Sequence, residues 1–261
     1  MTRTFDMKKS ILTVAAVLGL VLSTSAAEAS GAGGKALMTP GWSFSGPMGT
    51  YDRAQLQRGY QVYKDVCAGC HGLKYIAFRN LLDIGFSEAE AKAVAAEFDV
   101  TDGPDAEGEM FDRPGRLSDI MPAPYANDNA ARASNNGALP PDLSLIAKAR
   151  AGGADFLYSL LVGYEEAPDG VEMPEGMSFN PYFPGTQIAM PPPLDDDSVE
   201  YVDGTKATLD QEARDVSAFL MWAAEPKLED RHRIGLKTML FLIVLTALFY
   251  FTKRQVWRDV H

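Results

Sequence analysis

Two thiols and an imidazole stand within five residues, Cys67-Ala68-Gly69-Cys70-His71, and they use both cysteines of the chain and one of its three histidines. Thiols at this spacing can add across the two vinyl groups of a porphyrin, and the adjoining imidazole can then be held beneath the iron. C-x-x-C-H therefore points to one covalently attached haem c, with His71 as proximal ligand. A thioredoxin-like redox pair would sit at the mouth of a βαβ unit, and no alternation of strands and helices surrounds these residues. A structural zinc site takes four ligands, commonly two spaced pairs, and the sequence has no second pair.

With His71 on one side of the iron, the other side takes His, Met, a small ligand or nothing. His232 lies in a basic cluster beside an apolar run and His261 lies beyond that run, so both are poorly placed. A methionine is the better candidate, because a soft thioether favours ferrous iron and raises the potential. Met190 lies in Gln187-Ile188-Ala189-Met190-Pro191-Pro192-Pro193, where the prolines fix φ and remove donors, making a stiff loop that can hold a sulfur without a helix. Met110, Met121, Met173 and Met177 also fall in loops, and any methionine can instead fill a gap in a core. Spacing and rigidity favour Met190 and leave the others open. Haem propionates need a cationic partner when partly buried. Arg150, ending a short helix after Pro140-Pro141-Asp142-Leu143, is the best-placed cation; an arginine there equally suits the helix dipole alone.

The elements that must position these groups read as mainly α. Asp52 N-caps a helix with Leu56, Gly59, Tyr60, Tyr63 and Val66-Cys67 at three- and four-residue spacing, which delivers the motif at its C-terminal end. Gly59 and Tyr63 would let another helix cross it closely. Residues 87–98 form a second helix, with Ser87 and Glu90 as a capping box. Residues 100–136 are dense in Gly, Pro, Asp and Asn without sustained periodicity, and a loop of that length has a function or packs on a partner. Asp142 caps the short helix to Arg150, a further helix runs from Ala154 or Asp155 to Val162, and residues 165–203 are again loop-like. Thr208 or Asp210 opens the last soluble helix, which Pro226 ends. Residues 30–50, rich in Gly and Pro, form an extended arm.

Both ends read differently. Arg3, Lys8 and Lys9 precede an apolar run at 11–21, and Ala27-Glu28-Ala29 fits a cleavage site, so residues 1–29 are expected to be a signal peptide. Residues 234–252 carry one charge, Lys237; such a helix is about 28 Å long and crosses the hydrocarbon core. The expected division is a signal peptide (1–29), an exported periplasmic haem domain (30–230), a juxtamembrane segment with its anchor (231–252) and a short cytoplasmic tail (253–261). Export places the chain in a bacterial inner membrane as a single-pass protein. The body at 30–230 holds 15 Lys and Arg against 32 Asp and Glu, which argues against nucleic acid or anionic lipid as partner. A basic protein partner and simple solubility both fit that charge.

Taken together, these residues resemble the cytochrome c1 family, the haem subunits of cytochrome bc1 complexes (ubiquinol–cytochrome c reductases). The resemblance covers nearly all of the expected mature chain. It is carried by RGYQVYK at 58–64, the C-x-x-C-H, ARASNNGALPPDLS at 131–144, FNPYFPG at 179–185, the Met190 loop and WAAEP at 222–226. It implies a cytochrome c-type domain with long loop insertions and one C-terminal transmembrane helix. It also implies covalent haem on Cys67 and Cys70, His71 and Met190 as axial ligands, and Arg150 near a propionate. Family members often have Tyr where Phe156 stands, so a hydroxyl bond to a propionate is lost here. The implied partners are cytochrome b, a Rieske iron–sulfur protein as donor and a basic cytochrome c as acceptor, in a dimeric complex. Docking charges are expected in residues 97–112 and 165–175. Competing readings are a free-standing membrane-anchored monohaem shuttle, a five-coordinate gas-binding or peroxidatic haem protein, and a zinc module.

Overall fold

A computed structural model of the chain describes residues 34–259. The signal peptide expected at 1–29 and His261 lie outside the described residues. Helix α1 (Arg53–Asp65) starts where expected: Asp52 Oδ1 accepts from the backbone N–H groups of Ala54 (3.0 Å) and Gln55 (3.3 Å). These are two of the donors that a helix N-terminus leaves without an internal partner. Its buried face is Leu56, Gly59, Tyr60, Val62 and Tyr63. The next helix, α2 (Glu88–Ala96), carries the reciprocal Ser87–Glu90 capping box.

The long segment after it is more ordered than its composition suggests. Strands β1 (Asp99–Asp102) and β2 (Phe111–Pro114) pair antiparallel with Asp99 opposite Pro114, and helix α3 (Asp128–Ser134) follows with Asn127 as N-cap. The hairpin has no apolar alternation to announce it, because charge fastens it. Arg113 reaches Asp102 at 2.5 Å and Asp119 at 2.6 Å. The hydrogen bond from Arg113 holds the Asp119 carboxyl down to about 2, against 3.8 ordinarily. A carboxyl whose folded pKa is depressed stabilises fully above its unfolded pKa, about 4, and loses that contribution as the pH falls through its folded value. Amide-exchange protection in residues 99–114 is therefore expected to fall between about pH 4 and pH 2, ahead of the helical core. Protection that falls in step with the core would exclude this account.

Helices α4 (Ile146–Ala149) and α5 (Gly153–Val162) come next, then two short paired strands, β3 (Ser178–Phe179) and β4 (Gln187–Ile188). One expectation is corrected here. Asp142 does not cap α4, which begins at Ile146 without a side-chain cap. Its two carboxylate oxygens instead accept from the backbone N–H groups of Lys74 (2.9 Å) and Ser144 (3.0 Å).

Helix α6 (Leu209–Ala224) is capped by Thr208, whose hydroxyl accepts from Gln211 N–H at 3.2 Å. It packs across α1 in the largest contact between elements of the fold. Gly59 sits at the crossing, where a Cβ would stand 2.0 Å from the Asp215 carbonyl oxygen. Beside it, Arg58 Nε donates to the fully buried Asp215 at 2.8 Å, and its Nη1 donates to Asp203 at 3.0 Å. Phe219 fills the centre, its ring 5.7 Å from Tyr60, 5.9 Å from Tyr63 and 5.6 Å from Trp222.

The last helix, α7 (Leu228–Val256), is 29 residues long and, past buried Leu228, leaves most of its apolar side chains uncovered. At 1.5 Å per residue it is about 44 Å long. Among the described residues it is the one helix long and apolar enough to cross a membrane. Its root is fixed to the body. Glu229 pairs with Arg53 at 2.8 Å and accepts from Tyr51 N–H at 2.7 Å, while His232 Nδ1 lies 3.0 Å from the Gly49 carbonyl. The fold is mainly helical, with long ordered loops and a single apolar C-terminal helix.

Candidate functional site

Helix α1 ends at Asp65, and the motif begins in a 3₁₀ turn, Cys67–Gly69. The Cys67 carbonyl accepts from both Cys70 N–H (3.1 Å) and His71 N–H (2.9 Å). That winding brings the two thiols and the imidazole onto one turn. Both cysteines are free, Cys70 exposed and Cys67 largely covered. Burial pushes the Cys67 thiol up to about 12, so it stands as a neutral thiol.

The imidazole is aimed by the segment that follows α3. His71 Nδ1 lies 2.7 Å from the carbonyl oxygen of Pro141. A carbonyl can only accept, so Nδ1 carries the proton and Nε2 presents a bare lone pair. This is the tautomer that ligates iron, and the partner on the other ring nitrogen fixes the ring's orientation. Burial lowers the pKa of His71, which keeps the ring neutral. The segment carrying that carbonyl is itself stitched down. Leu143 N–H donates to Gly72 O at 2.9 Å, Lys74 N–H to Asp142, and Tyr75 N–H to the buried Ser144 hydroxyl at 3.1 Å. From the other side, the Tyr63 hydroxyl donates to the His71 carbonyl at 3.0 Å.

Pro141, Asp142, Ser144 and the Tyr63 hydroxyl were not singled out as site residues from the sequence. The only local signal is the Pro-Pro pair, which supplies two carbonyls with no competing donors in a fixed extended backbone.

Met190 comes from a different loop. It is half-buried against the apolar core that also receives Cys67 and Ala68. The loop is held on both sides, by buried Ile188 and Leu194, and the Tyr164 hydroxyl donates to the Met190 carbonyl at 3.2 Å. Of the other methionines, Met110 is exposed near the hairpin turn, Met121 is buried, and Met173 and Met177 are half-buried. Arg150 is the exposed C-cap of α4. Among the described residues no hydrogen bond or ion pair engages its guanidinium, and none ties it to the motif. His232 is held at the root of α7, against Gly49.

Two free thiols and one imidazole with a free Nε2 suit a haem attached through sulfur and ligated through nitrogen. Among the described residues, no group of three or more His, Cys, Asp or Glu side chains could chelate a metal ion directly.

Comparison with known proteins points the same way. A model of the Cytochrome C1 family matches residues 42–260. The chain is 50% identical over 258 residues to "Cytochrome c1" of Rhodospirillum rubrum, covering 93% of this chain and 95% of that one. It is 53% identical over 219 residues to "Cytochrome c1, heme protein, mitochondrial" of Schizosaccharomyces pombe, covering 84% and 71%. It is 50% identical over 242 residues to "Cytochrome b/c1" of Bradyrhizobium diazoefficiens, covering 84% of this chain and 35% of that longer protein.

Proposed function

The chain belongs to the cytochrome c1 family, and from that premise we propose how it holds its haem and passes electrons. It is the membrane-anchored haem subunit of a cytochrome bc1 complex and works in respiratory electron transport. In our reading it carries one haem c, joined through thioethers to Cys67 and Cys70. His71 Nε2 and the Met190 sulfur are the axial ligands, and Arg150 offsets a propionate. The observation that carries this reading is the 2.7 Å contact between His71 Nδ1 and the Pro141 carbonyl. It leaves the ring nothing to offer but an iron-ligating lone pair.

When bound, the iron supplies a one-electron couple. The residues of the chain hold, orient and shield it. Cys67 and Cys70 fix the porphyrin to the end of α1, Pro141 keeps the imidazole in one tautomer, and the Met190 loop presents its sulfur from a stiff backbone. No proton has to move in these roles, so the protein's task is to set the potential and present a docking surface. Electrons would arrive from a Rieske iron–sulfur protein and leave to a basic cytochrome c. The acidic body (15 basic against 32 acidic residues in 30–230) suits such an acceptor by electrostatic steering. Residues 97–112 and 165–175, largely exposed, are its candidate docking segments. Cytochrome b is the membrane neighbour in a dimeric complex. The domain at 30–230 faces the periplasm after removal of 1–29, α7 anchors it, and the tail from 253 is cytoplasmic.

Purification from bacterial membranes in mild detergent tests this. The chain is expected to migrate with a b-type haem and an iron–sulfur protein. Extraction with acidified acetone should leave one haem per chain in a pyridine haemochrome assay. Colour that leaves with the solvent would overturn covalent attachment. Migration as a lone coloured chain would instead favour a free-standing shuttle.

A further inference from the structure

The two motif cysteines differ in their surroundings. Cys67 is packed against the core, whereas Cys70 is exposed and needs something else to fix its sulfur. The Tyr125 hydroxyl lies 3.9 Å from Cys70 Sγ, within donating range of a sulfur acceptor. Tyr125 is itself held by Asn135, whose Nδ2 lies 3.1 Å from the phenol oxygen and 2.7 Å from the Ala131 carbonyl. The Ala131 carbonyl accepts only, so the nearby Asn135 atom is the amide nitrogen, and an amide nitrogen only donates. The phenol oxygen therefore accepts from Asn135, and its own hydrogen is left to point at Cys70. The base is firm: Asn135 is the C-cap of α3, and the other end of that short helix is fixed by Asn127 Oδ1 accepting from Ala130 N–H at 3.0 Å.

We propose that Tyr125 is a positioning residue for Cys70, donating a hydrogen bond to its sulfur as a thiol and again as a thioether. The proposal rests on the covalent attachment read above. In that step the S–H bond adds across a vinyl double bond: sulfur joins one carbon, the thiol hydrogen ends on the other, and no electrons leave the pair. The thioether keeps lone pairs that can still accept from Tyr125. A hydrogen bond there draws electron density from the sulfur and from the porphyrin edge, which favours the reduced haem.

The test is Tyr125→Phe in the intact complex, read by redox titration and by the pyridine haemochrome band that distinguishes one thioether from two. A single hydrogen bond to a weak acceptor persists in both oxidation states and only the difference in its strength moves the couple, so the reduction equilibrium is expected to fall by up to about twofold. A fraction of the haem should be joined through Cys67 alone. Potential and band both unchanged, at wild-type haem content, would overturn the proposal. Extractable haem in the wild type would instead remove the reading beneath it. Should Tyr125→Phe not accumulate, site-specific replacement of Tyr125 by 3-fluorotyrosine decides the matter. The more acidic phenol is a stronger donor and must raise the potential, whereas a residue that only fills space would leave it where it was.

Discussion

Met190→Leu is expected to leave the chain folded and its haem attached, while the midpoint potential drops by on the order of a few hundred millivolts. The reduced protein should also begin to bind CO. Leucine matches methionine closely in volume, so packing against the core changes little. The restraints that hold the loop also survive, since Tyr164 bonds the backbone carbonyl of residue 190 and Ile188 and Leu194 stay buried. What is lost is the thioether, the donor that favours ferrous iron over ferric. Redox titration and a CO difference spectrum read the two consequences separately. An unaltered potential with no CO band would move the sixth ligand to another methionine, with buried Met121 the first to examine.

The helices were legible wherever a polar cap met an apolar face. Asp52, Ser87 and Thr208 each announce a start because a short side-chain oxygen can satisfy backbone donors that have no partner inside the helix. Gly59 could be read as a crossing point because only a missing Cβ admits a second backbone that closely. The C-x-x-C-H points to haem, the cofactor of the family to which the chain belongs, since few uses of two thiols and an imidazole need that spacing. The setting of His71 was far less visible. Its aiming group is a backbone carbonyl, which any residue at position 141 would possess, and the sequence shows only that a proline stands there. Asp142 departs from its expected role for a related reason. An aspartate before a short helix is a natural cap, but here one of the donors it satisfies belongs to Lys74, 68 positions away, and the other to Ser144, ahead of the helix. The hairpin at 99–114 escaped notice because ion pairs hold it, and those follow no period of two. Arg150 stays a matter of position alone, with its guanidinium in solvent.

The same logic gives the site its mechanical setting. The motif hangs from the end of α1, the base of α1 is tied to α7 through Arg53 and Glu229, and its middle is pressed onto α6. With a haem on the motif, its position relative to α7 would be set in large part through α1. A fault anywhere along α1 should reach the haem.

Gly59→Ala is expected to be the most damaging single-methyl change in that helix. In an ordinary helix interior the substitution would help by roughly 1 kcal/mol, because alanine is the better helix former. Here the new carbon would stand 2.0 Å from the Asp215 carbonyl oxygen, 2.6 Å from its carbon and 2.7 Å from Phe219 Cβ. Two of those three atoms are backbone and cannot swing away. Relief requires α1 and α6 to move apart, which opens the core around Phe219 and stretches the Arg58–Asp215 pair. Overpacking costs typically about 1–3 kcal/mol, and a buried ion pair that loses its partner costs about 3–5 kcal/mol. Even partial loss of the pair outweighs the propensity gain, so a net destabilisation of roughly 3 kcal/mol or more follows. For a domain of about 200 residues each kcal/mol shifts Tm by about 2–4 °C, so a fall of about 6–12 °C is expected. Thermal unfolding of the detergent-solubilised complex, followed through its haem absorbance, measures it. Gly235→Ala is the control, since its methyl meets nothing within 4 Å. Equal melting of both variants would mean that the α1–α6 crossing has room to spare, and that the haem domain does not depend on the close approach at Gly59.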